Sequence, residues 1–110
     1  MARYSCSFSS HNPIEILLNH LGEALRSCDI EIIYRNKEYV VGREKPGNVA
    51  FTKLVTVEAL IDYQGVTSKE VHLNCILKNE ELPLKQDNHC RQVFDTVKRK
   101  IESQTPWQLQ

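Results

Sequence analysis

Much of what would announce a function is missing from this sequence. Its 110 residues contain no apolar run near the roughly 20 residues needed to span a bilayer as a helix. The four glycines, Gly22, Gly42, Gly47 and Gly65, stand singly, so there is no phosphate-cradling loop. Charge of one sign is lacking too. Fourteen basic and fourteen acidic residues cancel to a formal charge of zero, whereas nucleic-acid binders carry a basic excess to meet phosphates. Cysteine is sparse, and Cys6, Cys28, Cys75 and Cys90 form no Cys-x-x-Cys pair. His11, His20 and His72 show no His-x-x-x-His spacing, so no zinc site is expected. No nucleophile-elbow pattern, repeat, linker or low-complexity segment occurs. Met1 to Ser10 holds one basic residue and no apolar core of signal-peptide length. Reduced thiols in the cytoplasm are the resulting expectation.

What is present is ordinary globular composition, 41% hydrophobic and 25% charged, enough for one core and one domain over residues 1–110. The organising stretch is Phe51 to Lys78. Val55, Val57, Ala59 and Ile61 alternate with Thr56, Glu58 and Asp62; Val71, Leu73, Cys75 and Leu77 alternate with Glu70, His72, Asn74 and Lys78. A period of two puts one face in the core and one in water. Tyr63-Gln64-Gly65 interrupts the runs as a turn, so an antiparallel hairpin is predicted.

Two amphipathic helices are available to cover its apolar face. Asn12-Pro13-Ile14-Glu15 reads as a helix start, with Asn12 as cap, and Ile14, Leu17, Leu18, Leu21, Leu25 and Cys28 follow at helical spacing. Gly22 lies inside this helix and suggests close packing on the sheet. The second helix is capped by Asp87 or Asn88 and presents Cys90, Val93, Phe94, Val97 and Ile101. Ala2 to Ser9 reads as a strand, and Ile30 to Arg35 and Glu38 to Arg43 as a hairpin around Asn36-Lys37. The tail from residue 103 reads as irregular, with Trp107 unplaced. The order is β-α-β-β-β-β-α: an α+β fold with one antiparallel sheet of four or five strands and both helices on one face. A helix-grip fold with a cavity is the structural alternative.

Such a sheet leaves a wet face. There the alternation is interrupted by Leu54, Leu60 and Ile76, a candidate apolar patch for a protein partner or a second copy. A basic hairpin carrying Arg35, Lys37, Arg43 and Lys45 is a second candidate surface. The third candidate is the start of the second helix. There His89 and Arg91, with Lys85, could meet an anion through unbonded amides, and Cys90 could be a reactive thiol with His89 as base. Against this, adjacent helical residues point about 100° apart, and Cys90 also fits as the first core residue of its stripe. Lys98-Arg99-Lys100 reads as dipole complement in the last turns. No motif calls for a cofactor.

Two resemblances follow from this layout. Lys78-Asn79-Glu80-Glu81-Leu82-Pro83-Leu84, with Asp87-Asn88-His89-Cys90-Arg91-Gln92-Val93-Phe94, resembles stretches in short conserved cyanobacterial proteins of unknown function. The whole layout is similar to the kinase-associated 1 (KA1) domain. Phe8-Ser9-Ser10 stands at its phenylalanine-serine opening, and the helix start near Asn12-Pro13-Ile14-Glu15 and the following Cys28-Asp29-Ile30-Glu31 match in order. KA1 domains bind anionic phospholipids through basic residues, so the resemblance implies a lipid-binding role for the basic hairpin. The leading expectation from the residues themselves is a non-enzymatic interaction module. A small-ligand or thiol-dependent protein centred on Cys90 stands third.

Overall fold

The computed structural model describes residues 1–47, 49–63, 70–82, 88–104 and 107–109. It contains β1 (Ala2–Ser10), α1 (Ile14–Ser27), β2 (Ile30–Arg35), β3 (Tyr39–Glu44), a 3-10 turn (Phe51–Lys53), β4 (Thr56–Tyr63), β5 (Val71–Asn79), α2 (His89–Gln104) and β6 (Gln108–Leu109). All strand pairings are antiparallel, in the order β2-β3-β4-β5-β1-β6. The α+β class and the single antiparallel sheet are those read from the sequence. The sheet has six strands instead of four or five, because Gln108–Leu109 pairs with Phe8 and Ser9 of β1.

β4 and β5 form the central ladder, from Thr56 opposite Lys78 to Tyr63 opposite Val71. The turn expected at Gln64-Gly65 lies outside the described residues. Period-two alternation holds in both strands. Val57, Ala59 and Ile61 are buried on β4, and Val71, Leu73, Cys75 and Leu77 on β5. Both helices pack on that side: α1 against β2, α2 against β1 and β5, and the helices against each other. Leu17, Leu18, Leu21 and Leu25 from α1 meet Cys90, Phe94, Val97 and Ile101 from α2 in one core. No described helix is long and apolar enough to cross a membrane.

Three local features differ from the linear reading. Asn12 does not cap α1; its side chain donates to Ser10 Oγ at 3.0 Å, and the helix begins after Pro13. Residues 51–53 form a 3-10 turn before β4. The tail is not irregular throughout, since α2 runs to Gln104 and Trp107 is buried in the core. A large indole gains more from burial than a polar tail segment does, which draws the chain back onto the sheet.

Close approach explains Gly42. It faces the core on β3, where an added Cβ would sit 2.6 Å from Ile30 Cγ2. Gly22 fits the expected packing, because a Cβ there would touch Ile32 Cδ1 at 3.4 Å. Asp29 takes a positive φ of 61° and turns the chain from α1 into β2, the left-handed geometry with which helices commonly end.

Candidate functional site

Two regions carry the residues singled out by sequence: the start of α2 and the open face of the sheet. At the start of α2 the backbone amides of Cys90 and Arg91 already have partners from the chain itself. Asn88, the cap, accepts from Arg91 N through Oδ1 at 2.9 Å. Glu81 accepts from Cys90 N at 2.8 Å through Oε1, and the same oxygen accepts from Asn79 Nδ2 at 2.8 Å. Burial pushes the Glu81 carboxyl up, but the Asn79 and Cys90 hydrogen bonds outweigh it and hold its pKa below the ordinary 4.5. The anion at this helix start is therefore a side chain of the protein, which leaves little for an external one. Lys85 lies outside the described residues.

His89 Nε2 lies 2.8 and 3.0 Å from the two oxygens of Glu44, at the end of β3. Glu44 Oε1 also accepts from Val55 N at 3.1 Å. The pair ties the helix start to β3 and the lead into β4. Arg91 turns back over the rings of Tyr4 and Phe94, at 5.4 and 5.7 Å from their centroids, and meets Asp95 one turn on.

Cys90 is wholly buried, with Sγ 3.6 Å from Leu77 O. Burial, with the Glu81 and Glu44 carboxylates nearby, raises its pKa to about 11. A reactive thiol needs a stabilised thiolate and access, so the thiol reading of Cys90 is corrected: it is a core residue. A shallow cleft of about 230 Å³ does lie alongside α2, lined by Cys28, His89, Gln92, Val93 and Thr96, but not by Cys90. Cys6 and Cys75 face each other across β1 and β5, and sequence spacing gave no sign of that pair. Among the described residues, no group of three or more His, Cys, Asp or Glu could hold a metal ion.

The basic hairpin does not form one surface. Arg35, at the far end of β2, donates to Asn19 Oδ1 of α1 at 3.2 Å, on the helix side. Lys37 sits in the β2–β3 turn. Arg43 lies at the opposite end of β3 with its guanidinium 5.2 Å over the Phe51 ring, and Lys45 follows that strand. Arg35, paired with Val40 on the helix side, and Arg43, on the open side, are thus separated by face as well as by length.

The open face gains its meaning from register, which stacks residues of different strands into rows. One row runs Arg43, Thr56, Lys78 and Arg3 across β3, β4, β5 and β1, with Glu31 of β2 beside Arg43. The next runs Tyr34, Val41, Glu58, Ile76 and Ser5, and the third Tyr39, Leu60, Asn74 and Ser7. A fourth holds Asp62, His72 and Ser9, with Glu70 2.8 Å from His72 Nε2. Cations therefore stand at one end, carboxylates and histidine at the other, and apolar groups between. Lys78 Nζ reaches Glu58 at 2.8 Å, which compensates the one carboxylate in the apolar middle.

Leu60 is 43% exposed and Ile76 is partly exposed, as the alternation predicted. Leu54 is not on this face. It is only 7% exposed, tucked between the 3-10 turn and β4, because the strand starts later than the pattern suggested. The patch is extended instead by Tyr34, Tyr39 and Val41; the two tyrosine rings pack with centroids 6.3 Å apart. No local pattern places these tyrosines, and only the bulge between Ile32 and Tyr34 turns Tyr34 to this side. No protein-family model and no curated protein matches the chain.

Proposed function

We propose that this protein is a non-enzymatic interaction module whose open sheet face is a protein docking surface. The observation that carries this reading is the contiguous stripe Tyr34, Tyr39, Val41, Leu60 and Ile76, crossing four strands on the side that neither helix covers. Isolated exposed apolar residues are common, whereas a contiguous apolar group rimmed by charge marks an interaction site. Tyrosines in the stripe and charges at its two ends are residue types enriched in protein interfaces and their rims.

A photo-crosslinking residue at position 60, used in extract from the native cell, tests this. It should give a discrete adduct, whether with another protein or with the same chain. The same residue at position 23, on the outer side of α1, should give none. Equal, diffuse labelling from both positions would sink the reading.

A second reading has one observation in its favour. Arg3, Arg43 and Lys78 form a basic row beside Phe51, which is 71% exposed, and that combination suits an anionic membrane surface of the kind KA1 domains bind. Pelleting with phosphatidylserine vesicles at low salt, lost in Arg43→Glu, would favour it.

A further inference from the structure

We infer that the occupant of the open face is a second copy of this chain, docked face to face about a two-fold axis that runs across the strands between the Glu58 and Leu60 rows. The inference rests on the docking-surface reading and names its partner.

Charge complementarity carries it. A two-fold axis in that direction keeps each strand over its own equivalent and exchanges the two ends of every strand. Thr56, flanked by Arg43 on β3 and Lys78 on β5, then comes over Asp62 of the other copy. The cationic row of Arg43, Lys78 and Arg3, with Glu31 at its edge, faces the row of Asp62, His72 and Ser9, with Glu70 beside His72, and by symmetry the match occurs twice. No other protein is needed to complete the pattern, because one face carries both halves of it. Opposing like ends, the alternative with the axis along the strands, would set cation against cation.

The middle of the face fits the same operation. Val41 meets Tyr39 of the second copy, Ile76 meets Asn74, and Leu60 comes over Glu58, whose carboxylate is already drawn to Lys78. Size is adequate as well. Five strands at about 4.8 Å spacing and seven or so residues at about 3.4 Å give a face on the order of 600 Å², near the ~800 Å² per partner of a standard interface once side-chain relief is counted. Sheets stacked this way sit about 10 Å apart with strands nearly aligned. The zero formal charge of the chain places no net repulsion between copies.

Edge pairing is the competing way to dimerise, through β2 at one side of the sheet. The bulge between Ile32 and Tyr34 interrupts that edge, and an edge dimer would leave the open face wet.

Sedimentation velocity over a dilution series of the full chain separates these cases. The wild type should pass from dimer to monomer with a dissociation constant on the order of micromolar. Leu60→Lys should be monomeric with an unchanged far-UV circular dichroism spectrum. Arg43→Glu and Asp62→Lys should each weaken the dimer about tenfold or more, and the double variant Arg43→Glu/Asp62→Lys should return to within about threefold of wild type, since Arg43, on the strand beside Thr56, stands diagonally across the axis from Asp62. The rescue stands even if Leu60→Lys were to disturb folding. A wild type that stays monomeric overturns the inference, and so does a dimer indifferent to Leu60→Lys and to both charge reversals. If the protein is monomeric while the crosslinker at position 60 captures one different protein, the docking surface stands and only its occupant changes. If it is monomeric and no discrete adduct forms, both readings fall.

Discussion

The start of α2 and the open sheet face use the same kinds of residue in opposite ways. Around His89 and Cys90, each polar group is answered from within the chain: Glu44 by His89, Glu81 by Asn79 and the Cys90 amide, Asn88 by the Arg91 amide. On the open face, cations and carboxylates are set at opposite ends of a stripe of tyrosine, valine, leucine and isoleucine that neither helix covers. The first arrangement spends its chemistry on holding a helix in place. The second leaves complementarity for something outside the monomer. A cluster of chemically suggestive residues is therefore a weaker sign of function than an ordered surface whose apolar stripe is left open.

The sharpest way to break this contrast is to shorten neighbouring residues on β5. Leu77 is fully buried on the helix side, and Ile76, next to it, faces the open side. Leu77→Ala should cost the monomer about 3 kcal/mol in urea unfolding, through lost burial and the cavity left behind. Ile76→Ala should cost less than about 1 kcal/mol under conditions where the protein is monomeric. Equal losses would mean that the open face is packed within the monomer, and the contrast would fail.

A smaller effect separates the two regions by their carboxylates. Glu81→Ala removes an acceptor from the α2 start and should cost about 1 kcal/mol at neutral pH, as loss of a helix cap does. Glu58→Gln breaks a surface pair with Lys78 and should cost less than about 0.5 kcal/mol. The pH dependence has a definite sign. Because the Glu81 pKa is depressed below 4.5 by folding, its stabilisation is present above that value and is lost as pH falls through the lower folded one. Wild type and Glu81→Ala should therefore converge in stability when unfolding is compared at neutral and strongly acidic pH. A gap that persists in acid would show that Glu81 acts by packing alone.

The sequence was clearest where a short-range rule governs. Period-two alternation in β4 and β5 and the leucine stripe of α1 are set by which side chains meet water, so the sheet, its covered face and both helices could be read directly. Leu60 and Ile76 came from the same rule. What could not be read depends on partners distant in the chain. Strand register, which builds the basic and acidic rows, is fixed by pairings such as Ser5 with Ile76, and no local pattern reports it. Tyr34 reached the open face through a bulge, and Leu54 left it because a 3-10 turn delays the strand. His89 and Cys90 misled for the complementary reason: Glu44 and Glu81, which satisfy that helix start, lie 45 and 9 residues away.

The thiols provide the mildest test. Cys6 is partly exposed, and the hydrogen bond with Cys75 lowers its pKa, whereas burial and two carboxylates raise Cys90 to about 11. Limited alkylation with iodoacetamide at neutral pH, followed by peptide mass mapping, should modify Cys6 first and leave Cys90 untouched in the folded protein. Raising the pH does not rescue Cys90 reactivity until the fold itself weakens. A thiol whose folded pKa is raised from 9.0 to about 11 lends stability that is whole below 9 and is lost as pH climbs through that interval. Cys90→Ala should flatten that alkaline decline and lower stability at neutral pH by about 1–2 kcal/mol, through lost packing against Leu77 and Ala2. Labelling of Cys90 as fast as Cys6 would return it to the list of reactive groups and make the start of α2, instead of the open face, the region that addresses the outside.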